Sequence, residues 1–276
     1  VNRFACDHCP DYPVENGVSM ATILIIEGNT PDMVAAGHAG ANGFIGTLAA
    51  LSPDTRVRIA NPYAKPVGND DLRDVDGVIF TGSGVSWSVD AAEGAPQRAA
   101  MEIVLASGLP IWGSCNGLQL AMHVLGGTVG ASPAGMEVGM ALDISLTKAG
   151  SVHPMMAGRA PGFGAPCIHR DEVQLLPDGA MLLAGNDHSP VQSVAYERAG
   201  VRFWGTQYHP ELSSRDIGIY VRDRGIFSDH IGLAEDLEAA DSNEAAAARL
   251  GTHPDAIVLP ARSRELANWL QFVTDG

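Results

Sequence analysis

Basic residues are scarce in this chain of 276 residues: 17 Lys and Arg stand against 32 Asp and Glu, a formal net charge of −15. Such a surface repels phosphate backbones and anionic headgroups, which argues against nucleic-acid and membrane-surface binding. No apolar run approaches the ~20 residues that a membrane helix needs. Cysteine is sparse too, at four residues, so the chain is not a disulfide-stapled scaffold. The N-terminus lacks a basic stretch followed by an apolar one, so no secretory signal is read there. There is no internal repeat. Against these absences, 46% hydrophobic and 18% charged residues describe a globular chain with a core, expected to be cytoplasmic.

The pattern along the chain alternates. Ala21–Glu27 is a short isoleucine-rich apolar run, as expected of a strand buried on both faces. Asp32–Leu51 reads as a helix interrupted near Gly40–Gly43. Arg56–Ala60 and Gly77–Phe80 read as strands, Pro96–Ser107 as a helix stopped by Gly108, and Pro110–Trp112 as a strand. A helix from Asn116 to Leu125 follows, ended by Gly126-Gly127. This alternation predicts an α/β fold: a doubly wound, mostly parallel central sheet flanked by helices. Short β-rich segments at Ala141–Leu146, Met181–Ala184, Val191–Ala195 and Val201–Gln207 read as further strands of that sheet, some antiparallel. Leu233–Leu250 and Arg262–Val273 read as helices. The expected organisation is an N-terminal extension over 1–20, a main domain over 21–213, and a helical C-terminal extension over 214–276 packed on the same domain. A chain starting at Met20 would already make a complete α/β protein.

Cys6 and Cys9 enclose His8 in a Cys-x-x-Cys. Zinc needs four ligands, and no second pair stands downstream, so a surface arm with two thiols is the expectation, with no metal and no cofactor.

The chemistry concentrates at Pro110-Ile111-Trp112-Gly113-Ser114-Cys115-Asn116-Gly117-Leu118-Gln119. A strand running into Gly-x-Cys-x-Gly and then a helix is the pattern of a nucleophile on a sharp strand-to-helix turn. Gly113 and Gly117 lack a Cβ, so strand and helix can approach closely around the bend. The helix N-terminus favours negative charge at the Cys115 sulfur, and the Asn116 amide is placed to hold a developing oxyanion. Gln119, four residues on, shares that helix face and could hydrogen-bond a substrate. A thiol nucleophile needs a base and the base an orienting group. His209 in Tyr208-His209-Pro210-Glu211 ends a β-rich run. In extended chain, positions two apart point to one side, so Glu211 can brace one ring nitrogen while the other meets a thiol.

These residues resemble class I glutamine amidotransferases, specifically the free-standing GMP-synthase-like members. Gly113-Ser114-Cys115-Asn116-Gly117-Leu118-Gln119 matches their elbow, Tyr208-His209-Pro210-Glu211 their aromatic-His-Pro-Glu, and Thr81-Gly82-Ser83-Gly84 their glycine-rich loop after the third strand. Weaker echoes lie around Glu137, at His169-Arg170-Asp171-Glu172-Val173 and at His188-Ser189-Pro190-Val191-Gln192. His169 and His188 are expected to be hydrogen-bonded structural histidines or to line the pocket rim.

The resemblance implies that Cys115 attacks the side-chain amide of glutamine. His209, oriented by Glu211, would protonate the ammonia that leaves and then activate water on a γ-glutamyl thioester. The oxyanion would sit between the amides of Asn116 and Ser83. Gln119 and the Gly82–Gly84 loop would hold the amino-acid end. The loop reads Gly-Ser-Gly where the family has Gly-Gly-Pro, which keeps Gly84 as the other choice of donor. The implied products are glutamate and ammonia, the latter for a separate acceptor enzyme, a synthase subunit. Two alternatives stand beside this reading. One is a hydrolase of other γ-glutamyl amides or peptides with no synthase partner, to which the polar Asn116 lends weight. The other is a catalytically idle regulatory protein on the same fold.

Overall fold

The computed structural model describes residues 21–226 and 230–275, so the Cys6–Cys9 arm and the expected N-terminal extension lie outside the described residues. The chain opens with β1 (Thr22–Ile26), α1 (Pro31–Ala35), α2 (Ala41–Leu51), β2 (Arg56–Ala60) and β3 (Gly77–Phe80). It continues through α3 (Ala95–Leu105), β4 (Pro110–Ser114) and α4 (Asn116–Val124). A β-rich stretch follows: β5 (Thr128–Ala131), β6 (Glu137–Leu146), β7 (Phe163–His169), β8 (Asp171–Leu175), β9 (Met181–Gly185), β10 (Ser193–Tyr196) and β11 (Arg202–Thr206). The remainder is helical: α5 (Ser214–Arg224), α6 (Leu233–Ala239), α7 (Glu244–Arg249), α8 (Pro254–Ile257), α9 (Leu259–Arg262) and α10 (Arg264–Asp275).

Among the described residues, nine strands form one sheet in the order β2-β1-β3-β4-β11-β10-β9-β6-β7. The pairings from β2 to β11 are parallel. Those from β11 to β7 are antiparallel. β5 and β8 make a separate antiparallel pair. The period of two along β1 explains its unbroken apolar run. Ile23 and Ile25 face the helices α2 and α10, with Phe44, Leu48 and Trp269. Leu24 and Ile26 face α3 and α4, with Met101, Val104 and Leu118.

The interruption read near Gly40–Gly43 is present: α1 ends at Ala35, and the Glu27 carboxylate accepts from Gly40 N (3.0 Å) and Ala41 N (2.9 Å) where α2 starts. Other elements depart from the sequence expectation, the unforeseen strands β5 and β8 among them. The helix expected over Leu233–Leu250 breaks before Asn243, whose side chain caps α7 through Ala246 N at 3.0 Å. Strand β7 carries Gly164 and Pro166, which hide it from a propensity reading. Pro is tolerated there because β7 is the edge of the sheet.

The tail is tied to the sheet by a buried ion pair between Arg159 and Glu265, which are 7% and 0% exposed. Arg159 Nη2 reaches Glu265 Oε2 at 2.8 Å. Trp269 of α10 packs on Trp112 of β4 with ring centroids 6.3 Å apart. Breaking a buried pair from one side leaves an uncompensated charge. Glu265→Gln is therefore expected to destabilise the fold by about 3–5 kcal/mol, read by urea denaturation.

Candidate active site

β3, β4 and β11 are parallel neighbours, so their carboxyl ends lie on one edge of the sheet. The three sequence motifs leave from that edge. Between them opens a cleft of about 990 Å³, whose walls include Ser83, Cys115, His169, Tyr220 and Arg262. In open α/β sheets ligands bind at this edge.

Cys115 sits at the turn from β4 to α4 with φ 50° and ψ −106°, a conformation that L-residues rarely adopt. Strand and helix are close-packed around it. A Cβ on Gly117 would lie 2.4 Å from the Phe80 carbonyl oxygen, and one on Gly113 would lie 2.7 Å from the Gly117 carbonyl carbon. Cys115 N donates to Thr206 O at 2.7 Å, which ties the bend to the end of β11. The sulfur lies 3.7 Å from the Ile168 carbonyl oxygen at the end of β7.

His209 is buried, and its Nδ1 lies 2.6 Å from Glu211 Oε1. A carboxylate only accepts, so Nδ1 carries the proton of that bond. Nε2 is buried and makes no hydrogen bond among the described residues. His209 Cε1 and Cys115 Cβ both crowd Gly82, at 2.7 and 3.7 Å from where its Cβ would be. Burial alone would push the imidazole down. The Glu211 carboxylate and the Cys115 side chain outweigh it, and the His209 pKa is raised well above 6.5. The imidazolium is thus favoured in the fold. Its contribution to stability is complete below about pH 6.5 and is lost as pH rises through the raised value.

Glu211 is itself braced. Ser114 Oγ donates to its Oε2 at 2.9 Å and accepts from Trp112 Nε1 at 2.9 Å. Thr47 Oγ1 of α2 donates to its backbone oxygen at 2.9 Å. The loop after β3 is held from the end of β1. Ser83 Oγ donates to Gly28 O at 2.8 Å, and Gly84 N donates to Asn29 Oδ1 at 2.7 Å. The Gly84 amide is therefore engaged. The Ser83 and Asn116 amides donate to nothing among the described residues. Gln119 lines the cleft, but its Nε2 is spent on Asp171 O (2.6 Å) and Gln207 Oε1 (3.1 Å), which leaves its Oε1 for a ligand.

Glu137, His169 and His188 offer ligand atoms within 4.8 Å of one another, a donor set that could hold a metal ion. Two of the three are already committed. Glu137 accepts from Asn186 (2.7 Å) and Gln192 (2.7 Å), and its Oε2 lies 2.8 Å from His169 Nε2. His169 Nδ1 lies 3.1 Å from Asp171 O. Burial would raise the Glu137 carboxyl, but these bonds and the His169 charge hold it below its ordinary value.

Residues 54–226 match the family of class-I glutamine amidotransferases. The protein is a class I glutamine amidotransferase. This amidotransferase is 36% identical over 211 residues to a γ-glutamyl-L-1-hydroxyisopropylamide hydrolase of a Pseudomonas species, covering 73% of this chain and 71% of that one. It is 33% identical over 172 residues to a glutamine-hydrolysing GMP synthase of Zymomonas mobilis, covering 57% of this chain but only 30% of that one. In fold it resembles a glutamine amidotransferase of Thermotoga maritima, with a TM-score of 0.67 over 94% of this chain and 100% of that one, at 15% identity. No helix among the described residues is long and apolar enough to cross a membrane.

Sequence reasoning missed Ser114 as the partner of Glu211, Asn29 as the brace of the loop, and Arg262. Ser114 stood inside the elbow motif, but nothing in sequence pointed it at a residue 97 positions away. If Glu211 is the main group holding the imidazolium, Glu211→Gln lowers the His209 pKa by about one unit or more, as seen in an NMR titration of labelled histidine assigned with His209→Asn.

Proposed function

We propose that the protein hydrolyses the γ-amide bond of γ-glutamyl amides through a thioester on Cys115. The observation that carries this reading is His209, held by Glu211 at 2.6 Å on one nitrogen and unpartnered on the other, beside a cysteine at a strained elbow.

The steps balance as follows. The thiol proton rests on His209 as the imidazolium, and the Cys115 thiolate bonds to the γ-carbonyl carbon. The carbonyl pair moves onto oxygen, where the free amides of Ser83 and Asn116 are the donors for the oxyanion. His209 passes its proton to the amide nitrogen, the C–N bond breaks, and the amine leaves. Water, deprotonated by His209, then attacks the thioester. The C–S bond breaks, glutamate leaves, and the thiolate and imidazolium are restored. Gly82 and Gly84 frame the carbonyl, and Gln119 Oε1 faces the amino-acid end. No metal or cofactor enters these steps.

A substituted amine as leaving group is supported by the similarity to a γ-glutamyl-L-1-hydroxyisopropylamide hydrolase over 71% of that protein's length. A second reading makes glutamine the substrate and delivers ammonia to a separate synthase subunit. It is favoured by the similarity to a segment, 30% in length, of GMP synthase. The charge of −15 supports a cytoplasmic protein with no nucleic-acid or membrane partner.

Mass spectrometry after treatment with a γ-glutamyl electrophile is expected to find one adduct, on Cys115, abolished by Cys115→Ala. An adduct elsewhere would overturn the assignment. On a panel of substrates, an N-alkyl γ-glutamylamide is expected to exceed glutamine in kcat/KM by about tenfold or more. The reverse order supports the ammonia-delivering reading. His209→Asn is expected to lower kcat by about 10²–10⁴.

A further inference from the structure

The family match stops at residue 226, and the described chain runs on through α6 to α10. Two residues of this later part reach the wall of the cleft, Leu259 and Arg262. Arg262 ends α9 and is only 7% exposed. A buried guanidinium ordinarily rests against a carboxylate. Among the described residues none lies within 4.0 Å of this one. Its Nη1 donates instead to the Pro210 carbonyl at 2.7 Å, in the backbone between His209 and Glu211.

The placement is held from a second side. The Arg262 carbonyl accepts from Arg159 Nη2 at 3.1 Å, and Arg159 is paired with Glu265 of α10. Burial depresses the guanidinium pKa, and the Glu211 and Asp216 carboxylates offset only part of that. The tail thus brings a cation without a contacting counter-ion to the backbone that joins His209 to Glu211.

We propose that Arg262 is a positioning residue for the Cys115–His209–Glu211 group. It clamps the Pro210 carbonyl so that imidazole and carboxylate keep their register, and its charge biases the group toward the ionised thiol. The proposal rests on the reading of Cys115 as the nucleophile. Beyond the cluster itself, the same cleft is lined by His38, His169, Arg170, Asp171, Asp223 and Arg224. Glu211 and Cys115 act on His209. Glu211 and Asp216, the latter from the first turn of α5, act on Arg262. Glu265 is neutralised by Arg159. A cation at this position favours a nearby thiolate and disfavours a nearby imidazolium, so both ionisations occur at lower pH with it than without it.

The test is the rate of Cys115 alkylation by iodoacetamide against pH in the full chain, read by mass spectrometry on the Cys115 peptide. Burial pushes the neighbouring Cys167 thiol well up, which keeps it out of the reaction. Arg262→Gln keeps a hydrogen-bond donor and removes the charge. Its alkylation midpoint is expected to rise by about half a pH unit or more, while Arg262→Lys stays near wild type. On a γ-glutamyl amide, kcat of the glutamine variant falls about tenfold with KM within about twofold. Arg262→Met removes charge and desolvation cost together and serves if the glutamine variant does not fold. An unmoved midpoint in a folded, uncharged variant overturns the proposal. Absence of Cys115 alkylation in the wild type overturns the nucleophile reading instead.

Discussion

A carboxylate out of reach of water must be compensated from every side, and the arrangement around Glu211 follows from that need. One oxygen meets His209 Nδ1 and the other meets Ser114 Oγ. The backbone oxygen is held by Thr47, and the preceding carbonyl by Arg262. Those partners come from the chain after β11, from β4, from α2 and from the tail. Four segments distant in sequence converge on one buried acid. The two halves of the site, elbow and imidazole, are kept in register through it.

The sheet explains why the convergence occurs on this edge. Its parallel half sends the loop after β3, the elbow after β4 and the chain after β11 out of the same side. The antiparallel half closes the other flank. The edge strand β7 lends the Pro166 carbonyl to His209 N at 2.9 Å and sets the carbonyl of Ile168, its penultimate residue, against the Cys115 sulfur. Gln119, Ile168 and Asp171 line the cleft. So do Tyr220 and Met33, whose Oη and Cε crowd Gly84, at 2.9 and 3.2 Å from where its Cβ would be.

Strain and burial are unevenly spread. Cys115 holds its positive φ at a bend where Gly113 and Gly117 let β4, α4 and the end of β3 approach closely. The Arg159–Glu265 pair and the Trp112–Trp269 contact fasten α10 beneath the same strand that carries the elbow. Stability of the tail and geometry of the site are therefore linked through β4.

Much of this was legible in the amino-acid order. The isoleucine run of β1, the Gly-x-Cys-x-Gly bend and the His-Pro-Glu pair are local patterns. A strand's period of two, a missing Cβ and a two-residue spacing are properties of neighbouring positions, so they survive without the fold. The break at Asn243 and the strand hidden by Gly164 and Pro166 were not legible, because a cap and an edge position decided them. Ser114 against Glu211, Asn29 against Gly84, and Arg262 against Pro210 join residues 97, 55 and 52 positions apart. Local pattern named the groups proposed to carry the chemistry. Only tertiary packing decided which groups hold them, because a buried charge takes its partners from whatever the fold brings into contact, at any separation along the chain.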